Sequence, residues 1–317
     1  MTFAQPSLHH RAAGLSRAET GLLWLALMLL ALACLGPMLP ASAHQHHFAD
    51  QRSFWGIPCA LDVLSNLPFA AAGLWGLLWL RGLERRAIDA ASRACAHLFF
   101  VGLVCTAAGS TLYHVLPNDS GLVWDRLGMV LPFAGLLGLA AAGRVSARAG
   151  WAAAGGVLLT GSVAVLVWAH TGNLLPWAVV QLGGMVVVLV LALLPRRAGA
   201  LPVHLGAVIA MYALAKLFEA ADHSVFDATG QWVSGHSLKH VFAAGAAWPV
   251  LMAVEALRHS PTTGTTLATV SGQNGAHTVG VARGPTRVGP PSLSPRAGPY
   301  QHIAAATADP SDTRRNA

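Results

Sequence analysis

The stretch ACAHLFFVGLVCTAAGSTLYH, from Ala94 to His114, decides the fold class. At about 1.5 Å per residue it is long enough as a helix to cross the ~30 Å hydrocarbon core of a bilayer. It carries no Asp, Glu, Lys or Arg, and its Ser110 and His114 sit together at one end. Working outward, seven more runs have the same character: Gly21 to Pro40, Ala60 to Leu80, Leu122 to Ala142, Trp151 to Ala169, Leu174 to Leu194, Val203 to Ala221 and His236 to Leu257. Open strands leave backbone groups unpaired in lipid, so every run is read as helix. The whole chain, 317 residues, is 54% hydrophobic and only 10% charged, against about 25% charge in a soluble domain. The expected fold is an all-α polytopic membrane protein: a seven-helix bundle with one extra N-terminal apolar helix.

The net charge of +7 invites a nucleic-acid reading, but the arginines argue against it. Arg11 and Arg17 precede the first run. Arg81, Arg85, Arg86 and Arg93 fill the second connection, Arg144 and Arg148 the fourth, Arg196 and Arg197 the sixth, and Arg258 closes the last run. The positive-inside rule puts these ends, and both termini, in the cytoplasm. The loops between, Ala41 to Cys59, Val115 to Gly121, His170 to Asn173 and Asp222 to Gly235, hold one arginine, Arg52, and face the other side. A bacterial inner membrane is the expected location. Ala41-Ser42-Ala43 also matches a signal-peptidase site, so the first run is either a retained helix or a cleaved leader. Its length favours retention. The chain divides into 1–43, a core of 44–258, and a Pro-, Gly-, Thr- and Arg-rich tail of 259–317 that reads as disordered and cytoplasmic. Cys34, Cys59, Cys95 and Cys105 lack metal-type spacing and read as packing residues.

This topology sets the depth of the polar residues. The third run goes outward and ends on Ser110 and His114. The fourth comes inward with Asp125 near its start, and the eighth comes inward with His236 and His240 in its first two turns. All five therefore share one membrane level, although none was used to derive the topology. Ionisable groups in a membrane are costly and mark function. Residues four apart share a helix face, so His236 and His240 can bind one ion while His114 closes on it from another helix. Three imidazoles with one open position make a catalytic zinc site, and zinc lowers the pKa of a bound water to roughly 7. Asp125 then reads as base and Ser110 as stabiliser of the developing oxyanion, with the exchange of these roles the second choice. A lone histidine at this depth is ordinarily a packed or interfacial side chain. The paired spacing and shared level are what set these three apart.

Gly109-Ser110-Thr111-Leu112-Tyr113-His114, then Asp125 eleven residues on, then His236-Ser237-Leu238-Lys239-His240, resembles the alkaline ceramidase family. More broadly it resembles the seven-helix hydrolases that include adiponectin-receptor and haemolysin III-like proteins. The resemblance spans about Asp50 to Leu257. It implies a seven-helix bundle with zinc on His114, His236 and His240, Ser110 and Asp125 beside the metal-bound water, and hydrolysis of the amide of a ceramide or related N-acyl membrane lipid. Asp50 to Gly56 and Leu61 to Pro68 also resemble the family's approach to its first core helix. Between them, Ile57-Pro58-Cys59-Ala60 replaces the acidic, calcium-binding stretch of the eukaryotic members. Calcium needs several oxygen ligands, and Asp50 and Asp62 are too few, so no calcium site is expected.

Other polar residues carry weaker readings. His44, His46 and His47 form a loop cluster, read as solvated rather than metal-capturing. Lys216, Glu219 and Asp222, with His223 and Asp227 beyond, read as an ion-pair network bracing the site rather than as binders of a polar headgroup. Asp62 and Asn66 read as interhelical ties, and Trp124 as an interfacial aromatic. A metal transporter loading through the His44 cluster is a rival function. Transporters place ions at the midplane between repeated halves, and neither feature is present. A receptor-like or haem protein using the histidines structurally is another rival, which leaves Ser110 and Asp125 unexplained.

Overall fold

A computed structural model of the protein describes residues 14–43 and 45–259. His44 and the expected tail beyond His259 lie outside the described residues. The described residues are helical, with only two isolated bridges and no strand. The helices are α1 (Arg17–Leu35), α2 (Ala60–Leu64), α3 (Leu67–Arg81), α4 (Ala90–Val115), α5 (Asp119–Arg144), α6 (Ala147–Thr171), α7 (Leu175–Ala178), α8 (Gly184–Ala192), α9 (Leu205–Ala220), α10 (Asp222–Ala228), α11 (Gly235–Gly245) and α12 (Trp248–His259). A π-helical turn, Val179–Gly183, joins α7 to α8. Seven spans, pairing α2 with α3, α7 with α8 and α11 with α12, are long and apolar enough to cross a bilayer. They fit an integral membrane protein. Leu74, Leu78, Leu159 and Leu193 face outward, as side chains in contact with lipid must. The seventh expected segment is shorter than its sequence suggests. α9 has 16 residues, about 24 Å of helix, and breaks at Ala221 before α10.

Side chains on the polar connections start the long helices. Asp89 accepts from the Ser92 amide to cap α4, Asn118 caps α5 through Gly121, Ser146 caps α6 through Ala149, and Ser234 caps α11 through Ser237. Each satisfies one of the amides a helix start leaves free. Asn118 thereby starts α5 three residues before the apolar run begins, which puts Asp125 in its second turn.

α5 is the axis of the bundle, lying along α4 on one side and α6 on the other, with α3 on α4 and α11 against α9 and α3. Its Pro132 has no N–H to give the Gly128 carbonyl one turn back. Thr106 Oγ1 of α4 lies 3.1 Å from that oxygen, but its one proton has a nearer acceptor at 2.9 Å in the Gly102 carbonyl of its own helix. Gly128 and Gly135 permit the approach: a Cβ on Gly128 would stand 2.8 Å from the Cys105 carbonyl oxygen, and one on Gly135 2.6 Å from the Phe99 Cα. The core beneath is apolar, with Phe100, Leu139, Val188, Val250 and Val254 all buried.

α1 lies outside this packing, touching α7 and the π turn. Its start is held by a capping box between Ser16 and Glu19, and Glu19 also accepts from Ser146 at 2.6 Å and pairs with Arg148 at 2.7 Å.

Candidate functional site

The three histidines meet at one end of the bundle. His114 comes from the last turn of α4, His236 and His240 from successive turns of α11. Their ring centroids lie 4.8 to 5.1 Å apart. The candidate ligand nitrogens all fall within 4.8 Å of one another. The edge of a tetrahedron with Zn–N bonds of about 2.05 Å is about 3.4 Å, so ring tilts closing the set by roughly an ångström suffice for a zinc-sized ion.

Two hydrogen-bonding details suit a metal at this donor set, whereas His236 Nε2 lies 3.4 Å from the Lys239 ammonium. His114 is 1% exposed, yet its Nδ1 has no hydrogen-bond partner; a buried polar atom left this way calls for an unseen partner. His240 Nδ1 lies 2.7 Å from Ser65 Oγ, and Ser65 spends its single proton on the Asp62 carbonyl at 2.8 Å. Nδ1 is therefore the donor, and Nε2 presents its lone pair, as the outer partners of a metal-binding histidine ordinarily arrange.

Close backbone contacts put the other groups beside them. A Cβ on Gly109 would lie 2.5 Å from the Trp124 carbonyl oxygen and 3.3 Å from the Asp125 Cα, so only glycine lets α4 approach α5 here. The next residue, Ser110, is thereby brought beside the Asp125 side chain. Gly235 likewise lets the start of α11 sit on the backbone of Asp222. The Asp222 carboxylate accepts the His236 amide at 2.8 Å and, on its other oxygen, the Ala49 amide at 3.0 Å. Ala49 carries Phe48 into place: its ring centroid is 4.6 Å from that of His114 and 4.7 Å from that of His236, covering the histidines.

A cavity of about 750 Å³ opens onto the site, lined by His114, His236, His240, Asp125, Phe48 and Lys239 among others. A smaller chamber of about 110 Å³, walled by Phe69, Phe99, Leu103, Phe133 and Met185, shares Asp125, Met129, Lys239 and His240 with it. Polar chemistry and an apolar recess thus meet at the same four residues.

All five expected site residues come together, and the remaining expectations sort clearly. Glu219 pairs with Lys216 at 2.5 Å and with Lys239 at 2.8 Å, so the network braces α9 against α11. Asp222 serves backbone amides instead. Asp62 accepts from Ser237 at 2.7 Å and Ser234 at 3.3 Å, tying α2 to α11, whereas Asn66 bonds only the Asp62 carbonyl of its own segment. Trp124 is 62% exposed and covers nothing. His46 joins Tyr113 at 2.8 Å and Asp119 at 3.1 Å, and His47 lines the cavity. Asp50 is held by both nitrogens of the Arg52 fork, at 2.8 and 2.7 Å. Burial pushes its carboxyl up, but the Arg52 hydrogen bonds and charge outweigh this and hold it below the usual range. The four cysteines are free.

The sequence reading passed over Arg126, Gln181, Ser65 and Lys239. An arginine and a glutamine inside apolar runs are the same costly signal that singled out the histidines. Lys239, inside the last apolar run, carries the same signal, whereas Ser65 carries no such mark, because only the folded chain brings it to the His240 imidazole. No protein-family model matches the chain, and no curated protein is significantly similar to it.

Proposed function

We propose that this chain is a zinc-dependent membrane amide hydrolase of the ceramidase type, cleaving a ceramide or a related N-acyl lipid. One observation carries the reading: three imidazoles, two of them buried and one half-buried, converge beside Ser110 and Asp125, in a cavity that continues into an apolar chamber. His114, His236 and His240 would hold the ion. When bound, zinc supplies Lewis acidity that readies a water for attack and polarises the amide carbonyl.

Asp125 takes the proton of the attacking water and returns it to the departing amine nitrogen as the C–N bond breaks. Ser110 orients that carboxylate and is placed to donate toward the developing oxyanion. Ser65 holds the His240 ring in the ligating tautomer. Phe48 excludes bulk water from above, and the acyl chain extends among Phe99, Leu103, Phe133 and Met185. Arginine placement, with the short α9 counted as an eighth crossing, supports a site at the extracytoplasmic face of a bacterial inner membrane and both termini in the cytoplasm.

The test is release of fatty acid from labelled ceramide and N-acyl ethanolamine by the purified protein, with bound metal quantified alongside. Hydrolysis is expected to stop on chelation and return with zinc. A zinc-loaded protein that releases no fatty acid from any of a panel of N-acyl lipids would sink the reading, and zinc flux into vesicles would replace it with a transporter.

A further inference from the structure

The cavity wall away from the histidines holds a cation that nothing in the hydrolytic scheme uses. Arg126 follows Asp125 on α5, lines the cavity and is 8% exposed. Its guanidinium lies over the Trp168 ring, 3.9 Å from the centroid, but Nη1 is buried with no acceptor. Among the described residues no carboxylate comes within ion-pair distance of it. Asp125, Asp119 and Glu219 sense its charge only from further off. Asp119 Oδ1 is taken by His46 and Gln45, and Glu219 pairs through its two oxygens with Lys216 and Lys239. A cation–π contact offsets part of the cost of burying a guanidinium, but it leaves in-plane N–H donors unmet, and those are what match an oxyanion.

A second group points into the same cavity. Gln181 sits in the π-helical turn between α7 and α8, lines the cavity and is 8% exposed, and its side chain makes no hydrogen bond among the described residues. Such turns re-aim side chains and recur at functional sites. An amide and a guanidinium, both without protein partners, therefore flank one polar space.

We propose that this wall binds the oxyanion of an acidic N-acyl lipid, a carboxylate or phosphate on the head group, with Arg126 pairing the charge and Gln181 hydrogen-bonding beside it. The acyl-amide part of that substrate rests on the hydrolase reading, whereas the anion site stands on Arg126 and Gln181 alone. Arg126 is then a specificity-determining residue that selects charged over neutral heads. It leaves the bond-breaking groups to their own work.

The test compares three ligands with one acyl chain: N-oleoylglycine, N-oleoylethanolamine phosphate and neutral N-oleoylethanolamine. Binding to the purified full-length protein is measured, with fatty-acid release as a separate readout. At least one acidic ligand is expected to bind about ten-fold more tightly than the neutral one, and which of the two does so assigns the site to carboxylate or phosphate. Arg126→Gln is expected to bring that ratio close to one, Arg126→Lys to keep part of it, and Gln181→Leu to lower it a few-fold. The lysine and Gln181 variants keep the question answerable if Arg126→Gln misfolds. Wild-type protein that does not discriminate, or a ratio surviving Arg126→Gln, overturns the proposal. Inorganic phosphate binding as tightly as the lipids overturns the lipid-head assignment. An intact ratio without hydrolysis of any ligand counts against the hydrolase reading and leaves the anion site standing.

Discussion

α1 and α5 are both apolar along nearly their whole length, yet their surroundings are opposite: 6% of the best window of α1 is buried inside the protein, and 83% of that of α5. Composition explains the contrast where periodicity does not. α1 offers Leu23, Trp24, Leu27 and Met28, large side chains that face outward. α5 offers Gly128, Gly135, Gly138 and Ala140 to Ala142, which let neighbouring backbones close in. Lipid is as apolar as leucine, so association between spans depends on close packing of small residues and on polar ties. The helix that carries Asp125 and Arg126 is the one most enclosed.

The strongest way to break this comparison is to overfill the α4–α5 seam. Gly135→Leu has no room beside Phe99 and is expected to destabilise by more than the roughly 1–3 kcal/mol of ordinary overpacking, with loss of the monodisperse peak in size-exclusion chromatography. Leu27→Ala on α1 is expected to leave that peak unchanged; equal damage from both would erase the contrast. Next in size, His240→Ala removes a ligand, and metal content and hydrolysis are both expected to fall to background. Asp125→Asn, on the enclosed helix, is expected to keep the metal while turnover drops about 10²- to 10⁴-fold. Loss of metal in this variant would make Asp125 a ligand and not the base.

Glu19→Gln releases the latch between α1 and α6. Hydrogen exchange is expected to rise at the start of α1, with turnover unchanged, since no residue of α1 lines the cavity. The smallest effect belongs to Asp50, in the loop joining the two regions. Its folded pKa lies below the unfolded value of about 3.9, so the unfolded chain binds more protons in that window. The contribution is full above about pH 4 and is lost as pH falls through the folded value. Asp50→Asn is expected to flatten the acid limb of the stability profile, modestly, because the Arg52 side chain is 42% exposed. An acid limb unchanged by the substitution would remove Asp50 as its source.

Most of the bundle was legible in the sequence because length and apolarity alone define a span. The metal-type triad was legible too, through four-residue spacing on apolar helices. What stayed hidden depends on distance in space. Nothing in the chain reveals that Ser65 sits under His240, because those partners come from separate segments. The shortness of α9 was hidden for a different reason: its apolar run continues to Ala221, but the backbone turns there to bring Asp222 to Gly235. Central and peripheral helices also look alike until small residues are weighed above hydropathy.

Asp222 has a kinetic consequence. Its two oxygens accept one amide from the segment that carries Phe48 and one from the helix that carries His236 and His240. Lifting Phe48 away strips a hydrogen bond from the carboxylate that also anchors His236, so the cover and the ligand helix share a single hinge pin. Exchange of the Ala49 and His236 amides is therefore expected to follow one common opening rate, and Asp222→Asn is expected to speed both together. Independent rates at the two amides would show that the pin does not couple them.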